Sequence, residues 1–238
     1  SIILLTNFII VPGITYGSQL ALGAIGVTLI YGVLRFANFA YGDLMAFGTM
    51  VVILMTWYLQ SKGISFGLLP TALLALPIGI LLTIAVSLFF DKTVFEYYRN
   101  KKSNPVTFIV VSLGIMFVLN AVVRIIIGPN DINFMDGHKF IMKAREFKQL
   151  TGLNEGLAIK STQVITLVTT IITCSILFYF LNKTKTGKSM RAYSNNEDLA
   201  LLSGIDPKKI VLITWVIVSI LATVAGTLYG LDKSFKPF

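Results

Sequence analysis

Long stretches without a charged residue are the feature that most limits how this chain can fold. Residues 1–34, 63–90, 103–123, 161–182 and 210–231 contain no Asp, Glu, Lys or Arg, and 44–61 is a shorter stretch of the same kind. A helix that crosses a membrane needs about 20 mostly apolar residues. Several such stretches in one chain indicate a protein that crosses the membrane many times, rather than a soluble domain with a single anchor.

The composition supports this interpretation. Of the 238 residues, 55% are hydrophobic and only 13% are charged, and the mean hydropathy is +0.80. A soluble domain has about 25% charged residues. A membrane β-barrel is not expected, because its strands alternate apolar and polar residues. The sequence therefore predicts an all-α, polytopic transmembrane helical bundle, organised as one membrane domain over residues 1–238.

The apolar stretches predict about six spans and place two loops on opposite sides of the membrane. The longer loop covers 127–160 and the other covers 183–209, and a single span separates them. Pro12-Gly13 is expected to open the first span, because a missing N–H costs little at a helix start. The predicted spans are 12–34, 42–60, 66–90, 104–126, 161–182 and 208–231.

Basic residues favour one orientation weakly. The segments 35–43, 91–103 and 183–209 together hold 11 Lys and Arg, against 9 on the opposite side. Because loops rich in Lys and Arg stay in the cytoplasm, the first set is the favoured cytoplasmic side. The net charge of +9 is spread over the loops, so it indicates orientation and anionic lipid rather than a nucleic-acid partner.

The polar segment 194–209 predicts a short, capped helix. Ser194 is expected to be its N-cap, with Glu197 at the capping-box position. The helix dipole stabilises acidic residues in the first turn, where Glu197 and Asp198 lie. Gly204 is expected to end the helix in the left-handed conformation, and Asp206-Pro207 to open the last span.

A helix of about nine residues is marginal in water, so this one is expected to pack on something. Leu199, Leu202 and Ile205 recur at three-residue spacing and form an apolar stripe. Two interpretations stay open. The stripe packs on the membrane helices of the same chain, or it docks in a groove of a partner protein.

The segment GKSMRAYSNNEDLALLSGID resembles the cytoplasmic coupling loop of ABC-importer permeases. Asp198, Ala200 and Gly204 match the acid, alanine and glycine of that loop, whereas Leu199 departs from its first alanine. The pattern is most similar to the permeases of branched-chain amino acid transporters. The positions that match this version of the loop are Gly187, Arg191, Ala192, Glu197, Asp198, Leu202, Gly204 and Ile205.

Two further segments resemble the same permease family, in the same order along the chain. TVAGTLYGL at 223–231 resembles the end of a later helix, and GAIGVTLIYGVLRFANFAYGDLMAFG at 23–48 resembles the first two helices. The family commonly has His and Glu where this chain has Tyr41 and Asp43. The matching positions in 23–48 are Gly26, Thr28, Tyr31, Gly32, Asn38, Phe39, Ala40, Gly42 and Gly48.

The resemblance implies a permease subunit of an ATP-driven importer in the bacterial inner membrane. It implies two ATP-binding subunits, a second permease (the same or homologous), a periplasmic binding protein that delivers branched-chain or related amino acids, and contact with membrane lipid. ATP and Mg²⁺ would bind the partner subunits, so no cofactor is expected on this chain. The loop 183–209 would be cytoplasmic, and the family would continue past Phe238. The residues expected to couple to the ATPase are Glu197, Asp198, Leu199, Ala200, Leu202, Gly204 and Ile205.

A second group, Asn38, Tyr41, Gly42 and Asp43, is a candidate for the transport path or for a family motif. Ionisable groups within a membrane are functional candidates. The alternative, favoured for Asp43, is that Asn38 and Asp43 sit at the cytoplasmic interface and cap the second span. Asn120 is expected to form an interhelical hydrogen bond.

Other functions fit the sequence less well. An ATPase-independent secondary transporter would leave the coupling loop unexplained. Catalytic and metal sites are not expected, since His138 and Cys174 are the single histidine and cysteine and lie in a loop and an apolar run. Within the family, cargo of urea, amides or other amino acids remains open.

Overall fold

The computed structural model describes residues 2–151 and 156–237. Two short strands, β1 (Phe140–Met142) and β2 (Ile159–Lys160), pair antiparallel with Phe140 opposite Lys160. The helices are α1 (Val11–Leu34), α2 (Tyr41–Ser61), α3 (Ala72–Phe90), α4 (Pro105–Ile127), α5 (Ala144–Thr151), α6 (Ser161–Lys183), α7 (Lys185–Asn195), α8 (Glu197–Leu202) and α9 (Pro207–Lys233).

The predicted bundle of six spans is confirmed. Six helices of the described residues are long and apolar enough to cross a membrane, namely α1, α2, α3, α4, α6 and α9. The protein is therefore an all-α, multi-pass membrane protein. The connections 35–40, 101–104 and 184–206 lie at one end of the bundle, which we call the short-helix end. The segments 62–71 and 128–160 lie at the other, which we call the hairpin end.

The first span is longer than predicted. A helix at Ile2–Leu5 and a π-helical turn at Thr6–Ile10 lead into α1 without a break. The prediction that Pro12 starts the helix is therefore wrong. Its ring conflicts with a carbonyl one turn earlier, and the wider π turn directly before it accommodates that conflict.

The third span begins and ends later than predicted. Gly67 has φ +71° and Leu69 precedes Pro70, and both features disfavour a helix before Ala72. After Phe90 a π turn at Asp91–Phe95 continues into a helix at Glu96–Asn100. Most of the predicted loop 91–103 is therefore helical, and the π turn places Asp91 beside the last span.

The last span, α9, lies at the centre of the bundle. It contacts α1, α2 and α3, and it has more buried residues than the other spans. Hydroxyl pairs join it to α3: the oxygens of Ser87 and Ser219 are 2.7 Å apart, and those of Thr83 and Thr223 are 3.0 Å apart. Small hydroxyl residues allow helices to approach closely and form hydrogen bonds between them.

Candidate functional site at the short-helix end

The helix α7 folds back sharply from the end of α6. Thr184 caps α7, since its Oγ1 accepts a hydrogen bond from the Gly187 N–H at 3.0 Å. A Cβ on Gly187 would overlap the carbonyl of Phe180 and the Cα of Leu181. This close approach requires glycine at position 187. The turn therefore fixes the direction in which α7 leaves the membrane span.

Two hydrogen bonds tie α7 to the end of α1. The Ser194 Oγ donates to the Gly32 carbonyl at 2.8 Å, and Arg35 Nη2 donates to the Ser194 carbonyl at 2.5 Å. Ser194 is therefore not the N-cap of the short helix, and that prediction is wrong. The chain before it is already helical, so Ser194 lies in the last turn of α7 and its hydroxyl is used by α1.

Asn196 caps α8 instead. Its Oδ1 accepts from the Leu199 N–H at 3.0 Å, so α8 starts at Glu197. At the other end Gly204 has φ +79°, the Ile205 N–H donates to the Ala200 carbonyl at 3.1 Å, and the Gly204 N–H donates to the Leu201 carbonyl at 3.0 Å. This pair of bonds is a Schellman motif. The predicted left-handed cap at Gly204 is confirmed, and α8 is capped at both ends.

The predicted apolar stripe is divided between two environments. Ala200 is buried, and Ile205 packs with it against a cluster that includes Val33, Met190 and Ile210. The side chains of Leu199 and Leu202 point away from the bundle, with 61% and 85% of their surface exposed. The helix thus packs on its own chain through one small side chain and presents leucines outward.

A partly buried hydrogen bond holds the first turn of α8. The Tyr193 hydroxyl donates to Glu197 Oε1 at 2.7 Å. Burial raises the pKa of Tyr193 above its ordinary value, and the hydrogen bond to the Glu197 carboxylate raises it further. Tyr193 therefore stays protonated and remains a donor, while Asp198 is exposed.

A cleft of about 480 Å³ lies between α8 and the continuation of α3. At its base Arg99 makes two hydrogen bonds to the Asp91 carboxylate, at 2.7 and 3.0 Å, and the Trp215 indole donates to the same carboxylate at 2.8 Å. Asp91 thereby joins the end of α3 to the central helix α9. Tyr193 and Glu197 form part of the same cleft wall, so α8 and this ionic cluster are neighbours.

The second predicted group, residues 38–43, lies away from α8. The Asn38 Oδ1 accepts from the Ala40 N–H at 3.0 Å, so it orders the turn before α2. The Tyr41 side chain is buried against Gly26 of α1, whereas Gly42 is exposed. These positions therefore differ in environment although they are adjacent in sequence.

Asp43 does not cap α2, so the favoured interpretation of this residue is wrong. Its Oδ1 accepts from Asn120 Nδ2 at 2.9 Å, and Asn120 lies about 22 Å into α4 at 1.5 Å per residue. The connection between α1 and α2 also penetrates the bundle, because the Phe39 N–H donates to Ser112 Oγ at 3.1 Å, about 10 Å into α4. The predicted interhelical bond of Asn120 is confirmed.

The residues that form the anchoring contacts of the short-helix end were mostly missed from the sequence. Arg35 and Asp91 directly follow apolar stretches and Arg99 lies in the charged segment 91–103, positions that also suit solvated interfacial charges, so the pattern alone does not distinguish them. Tyr193 and Glu197 are four residues apart, the spacing of helix neighbours. The spacing alone does not identify this pair, because Asn196 breaks the helix between the two residues.

Comparison with known proteins gives a consistent result. Residues 9–238 match the family described as branched-chain amino acid transport system / permease component. The chain is 27% identical over 222 residues to the high-affinity branched-chain amino acid transport system permease protein LivH of Escherichia coli K12, covering 92% of this chain and 68% of that protein.

Two other relatives match over similar lengths. BraD of Pseudomonas aeruginosa, a permease protein of the same kind of transport system, is 26% identical over 232 residues, covering 94% of this chain and 70% of that protein. The probable permease LivH of Methanocaldococcus jannaschii is 28% identical over 237 residues, covering 97% and 68%. No solved structure matches the chain significantly.

Proposed function

The chain belongs to the permease family of branched-chain amino acid transport systems, and from this premise we propose that α8 is the coupling helix through which ATP-binding subunits drive transport. A permease of this family is a transport subunit and not itself an enzyme. ATP hydrolysis would take place on the partners, with no cofactor bound to this chain.

The outward-facing leucines of α8 are the observation that carries the proposal. Leu199 and Leu202 are largely exposed on a helix that is capped at both ends and held by Ala200 and Ile205. Burying a leucine side chain stabilises a complex by about 1.5–3 kcal/mol, and a short amphipathic helix fits a groove. Exposed leucines beside Glu197 and Asp198 suit a partner groove that is apolar with a basic rim.

The attachment of α8 suits the transmission of motion. Ser194 and Arg35 tie α7 to α1, the Asp91 cluster joins α3 to α9, and the cleft brings both beside α8. A short helix with fixed ends moves as a unit when a partner pulls it. Movement of the ATP-binding subunits would then reach α1, α3 and α9 together.

The remaining assignments complete the importer. The short-helix end faces the cytoplasm, where ATP is available, and the hairpin end faces the side from which a binding protein delivers cargo. Two ATP-binding subunits and a second permease, identical or homologous, complete the complex. The cargo is branched-chain or related amino acids, in line with the names of the relatives.

Replacement of Leu202 tests the docking role. We expect Leu202→Asp to weaken retention of the ATP-binding subunits by roughly 30-fold, the effect of losing an interface residue worth about 2 kcal/mol. Co-purification and the ATPase rate stimulated by loaded binding protein measure the loss. Leu68→Asp is the matched control, because Leu68 is 71% exposed but lies at the hairpin end. Equal retention by both variants would overturn the proposal.

Cysteine labelling tests the orientation. In a Cys174→Ala background, Ser203→Cys places one thiol on the exposed end of α8. A membrane-impermeant thiol reagent should label it from the cytoplasmic side only, and bound ATP-binding subunits should block the labelling. Labelling from the opposite side would invert the topology, and labelling that the ATPase does not affect would separate α8 from that partner.

A further inference from the structure

The pair formed by Asp43 and Asn120 lies inside the membrane rather than at its surface. Lys101 and Lys102 precede α4, and Arg124 follows Asn120 by one helical turn. Charged side chains of this kind mark the two interfaces of a span or reach toward them. The Asp43 carboxylate is hydrogen bonded between these marks, about 22 Å along α4 from its first residue.

Asp43 and Arg124 bring opposite charges to one edge of the bundle. Arg124 is four residues after Asn120, so the two side chains share a face of α4, about 5–6 Å apart at their Cβ atoms. Asp43 and Asn120 are half-buried, and Arg124 is exposed. Within the described ranges 2–151 and 156–237, neither Asp43 nor Arg124 forms an ion pair.

A charge in the hydrocarbon region costs at least about 2.5 kcal/mol, and such groups almost always face the bundle interior or water. The half-exposed edge around Asp43 is therefore a poor surface for lipid. Phe117, one turn before Asn120 on the same face, is 68% exposed and adds an apolar wall. The edge thus presents a carboxylate that attracts a cation, a guanidinium that attracts an anion, and an aromatic side chain.

We propose that this edge binds the zwitterionic head group of the transported amino acid, with the ammonium at Asp43 and Asn120 and the carboxylate at Arg124. The proposal rests on the proposed transport function and adds the substrate-contacting residues to it. The Asp43 carboxylate is hydrogen bonded to Asn120, and the Arg124 guanidinium is carried one helical turn further along the same helix as Asn120. These two charges match the ammonium and the carboxylate of an α-amino acid, whereas an amine or a carboxylic acid alone would pair with only one of them.

The three side chains divide the binding between them. The ammonium donates to the Asp43 oxygen that does not already accept from Asn120, and the Asn120 carbonyl oxygen provides a second acceptor. The planar guanidinium of Arg124 donates two parallel hydrogen bonds to the carboxylate. Phe117 then contacts the apolar side chain. No covalent step is involved, so the site binds and releases its ligand unchanged.

Charge-removing variants of nearly unchanged shape test the proposal. Asp43→Asn keeps a carbonyl oxygen that accepts from Asn120, and Arg124→Gln changes an exposed side chain. Each variant is assembled in the complete importer, reconstituted in proteoliposomes and supplied with leucine-loaded binding protein. We expect either the KM for leucine uptake to rise or the maximal rate to fall, by about tenfold or more, where the KM refers to the concentration of leucine-loaded binding protein. A change of this size corresponds to the loss of one charge-assisted hydrogen bond.

Two readouts separate this outcome from a structural defect. Retention of the ATP-binding subunits should be unchanged, and Asp43→Glu should recover part of the uptake. Arg145→Gln, on the exposed surface of α5, is the matched control for Arg124→Gln. Wild-type uptake by Asp43→Asn and Arg124→Gln would overturn the site while leaving the transport function intact. Absence of leucine uptake by the wild type would instead contradict the proposed cargo.

A second measurement covers the case in which Asp43 variants do not assemble. In the Cys174→Ala background, Phe117→Cys places a thiol on α4 and Leu81→Cys places one on α3. The two native side chains are similarly exposed, at 68% and 65%. A charged thiol reagent should modify residue 117, facing the water-filled path, and not residue 81. Excess leucine-loaded binding protein with ATP should slow the modification. No reaction at residue 117 would overturn the proposal, because its face would then be closed to water.

Discussion

The two ends of the bundle are held together in different ways. At the hairpin end one exposed carboxylate ties two spans: Asp136 accepts from the Thr71 N–H, at the start of α3, and from Gln60 Nε2, at the end of α2, both at 2.8 Å. At the short-helix end, by contrast, Ser194 and Arg35 tie α7 to α1. The following helix α8 is joined to the rest of the chain through the side chains of Ala200 and Ile205 and through the hydrogen bond between Tyr193 and Glu197.

This difference bears on what each end does. The hairpin end fixes the relative position of neighbouring spans with hydrogen bonds to a loop. The short-helix end fixes the geometry of α8 itself, through its caps, while leaving two leucines outside. A helix that is rigid internally but lightly attached is suited to be moved by a partner. Variants that weaken either kind of attachment should therefore have different consequences.

The largest effect is expected from Gly187→Ala. The added Cβ would overlap the Phe180 carbonyl, so α7 would have to move away from α6, at a cost of about 1–3 kcal/mol or more. Both thermal stability in detergent and retention of the ATP-binding subunits should fall. Gly114→Ala is the control, because Gly114 is a helical glycine with open space around its Cβ position, and its replacement should be neutral or slightly stabilising. Equal behaviour of the two variants would contradict the described turn.

A smaller effect, limited to coupling, is expected from Gly204→Val. The position has φ +79° but open space, so the cost is backbone strain of roughly 1–2 kcal/mol rather than overlap. We expect uptake to fall while the spans keep their thermal stability. Gly204→Asn should retain more uptake than the valine variant, since asparagine tolerates this conformation. Normal uptake by Gly204→Val would argue against a mechanical role of the cap.

Features of the fold that are set by the local sequence were predictable. Six apolar stretches predicted six spans, and Gly204 and Asp206 predicted the end of α8 and the start of α9, where Asp206 accepts from the Lys208 N–H at 2.9 Å. These features depend on local hydropathy or on one residue's backbone preference. Both kinds of information are carried by the residues concerned.

Features that depend on distant partners were not predictable in the same way. Ser194 has the chemistry of an N-cap, but the carbonyl of Gly32 from another helix takes its hydroxyl. Asp43 has the position of a helix-start carboxylate, but the re-entry of residues 35–40 into the bundle brings it to Asn120. Gly32 and Asn120 are both distant in sequence from the residues that they bind, so the local sequence pattern favoured helix capping for Ser194 and Asp43.

Tyr193→Phe should loosen the attachment of α8 without changing the shape of the helix. The variant removes the hydroxyl that donates to Glu197 Oε1, and one such bond to a carboxylate contributes about 1–2 kcal/mol. Hydrogen exchange at the amides of residues 197–202 should become faster, with little change in the spans. Tyr179→Phe, at an exposed position of α6, is the matched control. Unchanged exchange in Tyr193→Phe would show that the caps alone hold α8.

The smallest effect is expected at the hairpin end, from the titration of Asp136. Burial opposes its charged form, but hydrogen bonds from Thr71 and Gln60 outweigh this and hold the pKa of Asp136 below its ordinary value. A carboxyl group with a lowered folded-state pKa stabilises the fold above its unfolded pKa of about 3.9, and this contribution is lost as the pH falls through the folded value. Since Asp136 is exposed, the contribution is below about 1 kcal/mol. The thermal stabilities of the wild type and Asp136→Asn should therefore differ at pH 6, and the difference should shrink as the pH falls below the unfolded pKa of about 3.9. A difference that does not shrink would mean that the side chain acts by its shape rather than by its charge.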